Sequence, residues 1–389
     1  MVNFSRTEAE LVLSSSAQPV MGLTGLSMDP RFGDHGLIAS IWPAQSPTEY
    51  GSMRKQYVRL WDYYALELAV MDGNADLCAI ASYTGIVSLV RNLVQIEGEI
   101  SRAEALEAAR AVSGPEPSED KLMRSVDIAV RVWLTLDISS MDLRRPGLLT
   151  WSSTRTLSEV IHSHFHDLER EQCRDPTSDG NIDPDLNADY LVAYHGYTIV
   201  WTDNLASHLT IDWKHKTLTI YEHKISLHNH LRLGVSCPIP TEVLGEAIDT
   251  LNLLFPFQDD GTKRLLAKHK KPFYGLGMCN RTRKLKLSDY SYWRSRIADI
   301  LYISSGPAVG LRQLRLNRKG DNFLQFATFW IATAVGVLTL ISIAIGVAAT
   351  VYGARQYELS LKQYDISVLQ LCVDPQALER FSVCETVRR

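Results

Sequence analysis

The chain has 389 residues, 46% of them apolar and 22% charged, with six cysteines and a formal net charge of −4. That charge is divided: residues 261–320 carry +13, residues 321–389 carry −1, and residues 1–260 carry −16. A strongly acidic body argues against nucleic-acid binding despite the basic run, so no nucleic-acid partner is expected.

Taken in chain order, the first residues place Glu8 and Glu10 among their apolar positions, and no cleavable signal is expected there. Residues 1–54, rich in Ser, Pro and Gly from 14 to 50, predict a loop or partly disordered arm. Residues 55–260 predict an acidic, helix-rich α+β body large enough for one sizeable core. Apolar residues at three- and four-residue steps predict helices over 55–71, 76–100 and 118–138, with Gly114, Pro115 and Pro117 breaking the chain before the third. The period then changes. Residues 197–202 and 218–221, with 209–211 between, read as strands around a turn at 212–216, and a further helix is predicted over 241–254.

Residues 261–320 form a basic segment beside the membrane. Lys263, Arg264, Lys268, Lys270, Lys271, Arg281, Arg283, Lys284 and Lys286 are the candidates for contact with anionic lipids, to which each well-placed cation contributes about 1 kcal/mol.

From Asn322 to Ala354 no side chain is charged. A helix of that length rises ~1.5 Å per residue and exceeds the ~30 Å hydrocarbon core, so residues 323–352 predict one transmembrane helix. Phe323 and Trp330 at one end and Tyr352 at the other match the interfacial aromatic belts. Gly336 and Gly346 lie inside the span, and Ala332, Thr339, Gly346 and Gly353 form a small-residue seam for helix association, hence a homo-oligomer. Arg312, Arg315, Arg318 and Lys319 outnumber Arg355 and Lys362, which places the N-terminal body in the cytosol and the tail in a lumenal or extracellular space. The span lacks ionisable groups, which argues against a coupled transporter. Residues 353–389 predict a short helical tail: Ala354, Leu361 and Val368, with Tyr357, Tyr364 and Leu371, recur every seven residues. Asp374 and Pro375 start a second short helix, letting Cys372 and Cys384 close a disulfide. Cys78, Cys173, Cys237 and Cys279 lack CxxC spacing, as free thiols do.

Candidate chemistry is sparse. His162 and His166 share a helix face at i, i+4 and could begin a metal site; His223, His228 and His230 read as surface residues. Asp175, Asp179, Gly180, Asn181 and Asp183 partly imitate a calcium loop, but Leu186 stands where a bidentate Glu is needed. Asp203 and His208 could pair as base and orienter. Phosphate-binding, dinucleotide-binding and hydrolase motifs are absent, and no cofactor is expected. Asn3 and Asn280 begin sequons that stay bare in a cytosolic body.

The strings TIVWTDNLASHL (198–209), LNLLFP (251–256), YWRSRIADI (292–300) and FLQFATFWIATAVGVLTL (323–340), with the QY repeats and Cys372, resemble a family of uncharacterised membrane proteins from filamentous fungi. The resemblance implies a fungal single-pass membrane protein, in a group whose genes sometimes sit beside secondary-metabolite pathways, and carries no site residue. The expected function is a membrane-tethered interaction or accessory protein with an unidentified protein partner. The alternative is a membrane-anchored enzyme, or accessory protein, of such a pathway.

Overall fold

The computed structural model describes residues 35–96, 98–141, 145–170, 180–233, 237–306 and 323–373. Contacts divide the chain into two units, residues 1–309 and 310–389.

In the first unit, α1 (His35–Ile41) and α2 (Pro47–Met53) occupy sequence read as loop. Leu37, Ile38, Ile41 and Trp42 are fully buried, and Ser46 caps α2 through the Glu49 N–H. Burial of four large apolar side chains outweighs the loop-forming composition around them. α3 (Val58–Gly73) follows a short 3-10 turn, and α4 (Tyr83–Gln95) starts at Ser82, whose hydroxyl accepts from the Gly85 N–H. The helix expected over 76–100 is thus shortened at both ends. α5 (Arg102–Ser113) begins with a capping box between Ser101 and Glu104 and ends at Gly114. α6 (Glu119–Leu134) packs on α4 and α5 and contributes Val126, Val130 and Trp133 to the core.

β1 (Ile138–Ser139) and β2 (Leu149–Thr150) pair in parallel, and α7 (Leu157–Arg170) follows. β3 (Thr198–Thr202), β4 (Ile211–Asp212) and β5 (Thr217–Tyr221) form a three-stranded sheet in the order β3-β5-β4. The expected hairpin is the short antiparallel pair β4–β5; β3 lies on the other side of β5 and runs parallel to it. α8 (Lys224–Arg232), α9 (Thr241–Leu254), α10 (Asp260–Lys268) and α11 (Arg294–Ser305) complete the body.

Residues 261–305 belong to this same compact unit: Leu265, Leu266, Phe273, Leu287, Trp293 and Ile297 are core residues. The positive charge that marks this stretch in sequence is carried by side chains between those apolar anchors.

In the second unit, α12 (Phe323–Leu371) is one helix of 49 residues. Between 326 and 371 it is long and apolar enough to cross a membrane, and no part of that apolar window is buried in protein. At ~1.5 Å per residue it is roughly 73 Å long, more than twice a ~30 Å hydrocarbon core. The segment expected to form a second tail helix, and Cys384 with it, lie outside the described residues.

Candidate functional site

The parallel pairing of β3 with β5 sets Thr202 opposite Tyr221, so the residues after each strand, Asp203 on one side and Glu222 and His223 on the other, emerge together. The carboxyl ends of parallel strands are where α/β sheets commonly place ligands. α3 brings Tyr63 and Glu67 to this edge, and the C-terminal end of α6 brings Arg131, followed by Thr135, Leu136 and Asp137. With Pro146, Thr202, Asp203, Asn204 and Ser207 they line a cavity of about 420 Å³.

Asn204 fixes the mouth of this cavity. Its side-chain oxygen accepts the Asp137 and Ala206 N–H groups, and its amide donates to the Gly147 carbonyl at 2.8 Å. Gly147 has φ +77°, a conformation that favours glycine, and a Cβ there would stand 2.2 Å from the Ser207 hydroxyl, which would have to turn away. Thr135, in the left-handed region at the end of α6, joins the core through a 2.5 Å hydrogen bond with the Tyr221 hydroxyl.

Asp203 and His223 form the principal contact of the cleft, with Nε2 2.6 Å from Oδ1. The imidazole is 1% exposed and the carboxylate 41%. With the carboxylate ionised, Nε2 carries the proton and donates; Nδ1 has no hydrogen-bond partner among the described residues. The histidine therefore orients the aspartate from behind, and the group presented to the cavity is the carboxylate.

Beside it, Arg131 Nε donates to Glu67 at 2.9 Å, and the Tyr63 hydroxyl donates to the Arg131 carbonyl at 3.1 Å. Burial pushes the Glu67 carboxyl up, opposed by the Arg131 charge, and pushes the Tyr63 phenol well up, so the phenol stays neutral. Lys271 pairs with Glu222, and its ammonium lies 5.0 Å from the Trp201 ring. Burial pulls the Lys271 amine down, while Glu222 opposes that fall. The cavity lining itself holds three carboxyl groups, Glu67, Asp137 and Asp203, and one guanidinium, Arg131, which favours a cationic or hydrogen-bond-donating ligand, and Asp203 is placed to accept its proton.

The partner expected for Asp203 was His208. His208 instead lies in the core, accepting the Tyr221 N–H at Nδ1 (3.1 Å) and meeting Thr250 Oγ1 at Nε2 (2.8 Å). Burial, then the nearby Arg296 charge, pulls its imidazole down to about 3. His223 and His230, expected at the surface, are buried as well: His223, just before α8, packs against the Tyr63 and Tyr221 rings, and His230 meets the Trp133 carbonyl of α6 and the Trp42 ring; His228 is half-buried.

His162 and His166 do share an exposed face of α7, beside Glu159, Glu169 and Tyr292, in a cavity of about 360 Å³. Among the described residues, however, no group of three His, Cys, Asp or Glu side chains gathers to hold a metal. Of the calcium-like loop, Asp175 and Asp179 lie outside the described residues, and Asp183 accepts the Asp185 N–H. Asn280 is exposed in the left-handed region, and Asn3 lies outside the described residues.

The lipid-contact candidates separate into two groups. Lys263, Arg264, Lys268, Lys270 and Lys286 are exposed. Arg281 and Lys284 both pair with the fully buried Asp249, Arg283 donates to the Pro184, Leu186 and Leu253 carbonyls, and Lys271 holds Glu222. These four tie the body together. Cys78, Cys237 and Cys279 are free thiols, and Cys372 is disulfide-bonded, while Cys173 and Cys384 lie outside the described residues. Phe323, Trp330, Gly336, Gly346 and Tyr352 all lie on α12.

Tyr63, Glu67 and Arg131 carried no sequence signal as site residues, because each sits in a helix whose apolar period accounts for its neighbours. Comparison with family models, with curated proteins and with solved structures finds no match, so the chain's own geometry carries the functional argument.

Proposed function

We propose that this chain is a single-pass membrane protein whose large N-terminal body acts as a cytosolic interaction or accessory module, and which self-associates through α12. The observation that carries the reading is α12 itself. Its apolar surface is uncovered, as lipid requires, and beyond Tyr352 it continues as a water-facing helix with Tyr357, Leu361, Tyr364 and Leu371 exposed along one stripe. Lipid covers the first part; a second copy of the helix, aligned by the seven-residue step and by the Thr339, Gly346 and Gly353 seam, would cover the second. The excess of Lys and Arg on the N-terminal side of α12 supports a cytosolic body. The disulfide at Cys372 and the free thiols of the body fit a tail in an oxidising space and a body in a reducing one.

The test combines carbonate extraction, protease protection and affinity isolation from the native membrane. The reading expects a carbonate-resistant chain, a protease-sensitive body on sealed cytosol-side-out vesicles, unglycosylated Asn280 and a co-isolated protein partner. Release by carbonate, or an endoglycosidase-sensitive Asn280, would overturn it.

A second reading, a membrane-anchored enzyme, is supported by the Asp203–His223 pair at the carboxyl ends of the parallel strands. Loss of function in Asp203→Asn with unchanged expression and partner binding would favour it.

A further inference from the structure

The short β4–β5 pair ends in the tip Trp213-Lys214-His215-Lys216. Asp212 organises this tip: Oδ1 accepts the Lys214 and His215 N–H groups at 2.9 and 3.0 Å, and Oδ2 lies 2.6 Å from His215 Nδ1. The one carboxylate of the turn is thus engaged within it, which leaves the exposed Lys214 and the half-buried Lys216 as the lysine charges of the tip. Trp213 is 37% exposed and meets Tyr302 of α11 edge to face, centroids 6.2 Å apart; Tyr302 is 63% exposed. Indole and phenol rings with polar tips, flanked by lysines, are the side chains that settle at the headgroup level of a bilayer.

Chain connectivity supplies the occupant. α11 ends at Ser305, and residues 307–322, which include Arg312, Arg315, Arg318 and Lys319, lead to α12. From Ser305 to Phe323 the chain reaches no further than about 65 Å even fully extended. If α12 is embedded, the body meets its own membrane at high effective concentration. The cationic tip complements an anionic leaflet, whereas the acidic residues of the body are repelled by it.

We propose that Trp213, Tyr302, Lys214 and Lys216 form a docking patch for the anionic lipid surface of the bilayer in which α12 is embedded, an inference that rests on the membrane-anchored reading. The patch orients the body on the leaflet. It is separate from the Asp203 cleft, and none of its residues was among the cations expected to contact lipid.

The test uses the full-length chain in vesicles of brominated phosphatidylcholine, with or without phosphatidylserine, comparing wild type with Trp213→Phe. Trp330 in α12 is quenched in both, so the difference reports Trp213 alone. The expected result is an extra loss of roughly one-eighth of the emission in wild type, from one of eight tryptophans, seen only with phosphatidylserine. Lys214→Glu/Lys216→Glu should abolish the difference. Hydrogen exchange of residues 211–217 should slow by about threefold or more in anionic relative to neutral nanodiscs, a readout that needs no variant. Equal quenching, or equal exchange, overturns the patch. Protection that is the same in detergent, neutral lipid and anionic lipid assigns the surface to a protein and also overturns it. Carbonate extraction of the same vesicles separates the two ideas: a resistant chain without the Trp213 signal refutes the patch alone, and a released chain refutes the anchor.

Discussion

Asp249 gives a prediction in which the sign of a mutational cycle decides between two uses of the same basic residues. Its carboxylate is 0% exposed and receives Arg281 Nε at 2.5 Å, Arg281 Nη2 at 2.7 Å and Lys284 Nζ at 2.7 Å. Gly245, one turn earlier on α9, leaves the space in which the guanidinium lies, since a Cβ there would come 3.1 Å from it. Breaking a buried ion pair by removing one partner costs about 3–5 kcal/mol because the orphaned charge stays buried. Arg281 is partly exposed and Lys284 remains, so Arg281→Ala should cost about 2 kcal/mol. Arg281→Ala/Lys284→Ala should cost about 4 kcal/mol, since Asp249 then has neither cation. At roughly 2–3 °C per kcal/mol for a body of this size, the double variant should melt about 8–12 °C lower. Adding Asp249→Ala to that double variant should restore part of the loss, because the stranded anion goes with it. The assay is near-UV circular dichroism of the full-length protein in detergent, with hydrogen exchange in anionic vesicles measured alongside. If the double variant melts within about 1 °C of wild type but loses the slowing of hydrogen exchange that anionic vesicles give the wild-type body, Arg281 and Lys284 serve the membrane and the structural role argued from Asp249 is wrong. A triple variant less stable than the double would also refute the reasoning.

Further expectations follow from the same geometry. Burial holds His208 near 3 and His230 near 4, below the ordinary 6.5, so the unfolded chain binds protons that these sites refuse. Their stability contribution is complete above pH ~6.5 and falls as pH drops, by about 2 kcal/mol each at pH 5; the melting temperature of wild type should track this, and His230→Gln should flatten the profile. Gly147→Ala should destabilise the body by about 2 kcal/mol or more, read by urea denaturation, because it combines a positive φ with a 2.2 Å approach to Ser207; an unchanged midpoint would mean the cleft mouth is loose. Gly346→Leu should weaken cross-linked dimer recovery roughly tenfold if the small-residue seam is the contact, corresponding to about 1–2 kcal/mol; undiminished cross-linking would move the interface elsewhere.

What could be read from sequence depended on whether a signal was local. The apolar run of α12, the break at Gly114, and the helix at Thr241–Leu254 are written in consecutive residues, and the structure carries all three. The strand segments were legible too, but not their pairing, because nothing local says that 198–202 lies parallel to 217–221 rather than continuing a hairpin. That one topological fact creates the cleft. It also explains why Asp203 was found with the wrong partner: His208 is five residues away in sequence, whereas His223 is reached only through the β3–β5 register. The basic run shows the opposite error, a composition signal read as surface charge when four of its nine candidates are internal cross-links. Charge counting sees how many cations a segment holds; only packing shows which of them already have an anion or a carbonyl.

That distinction bears on how the body could address a membrane. With Lys271, Arg281, Arg283 and Lys284 tied into the body, the exposed cations left among the nine candidates are Lys263, Arg264, Lys268, Lys270 and Lys286, and exposed charge alone gives affinity without fixing orientation. An indole at a turn held by its own aspartate and packed on Tyr302 of α11 would supply what dispersed lysines lack, a rigid point of insertion. The two sets therefore make separable contributions. Neutralising Lys263 and Lys268 should weaken contact of the exposed cations with an anionic leaflet, read as faster hydrogen exchange of residues 260–268 in anionic nanodiscs, while leaving the Trp213 quenching intact; Trp213→Phe should remove the quenching and leave that exchange nearly unchanged, and neither change should release the chain, because α12 secures it. An account resting on charge alone requires both readouts to fall together.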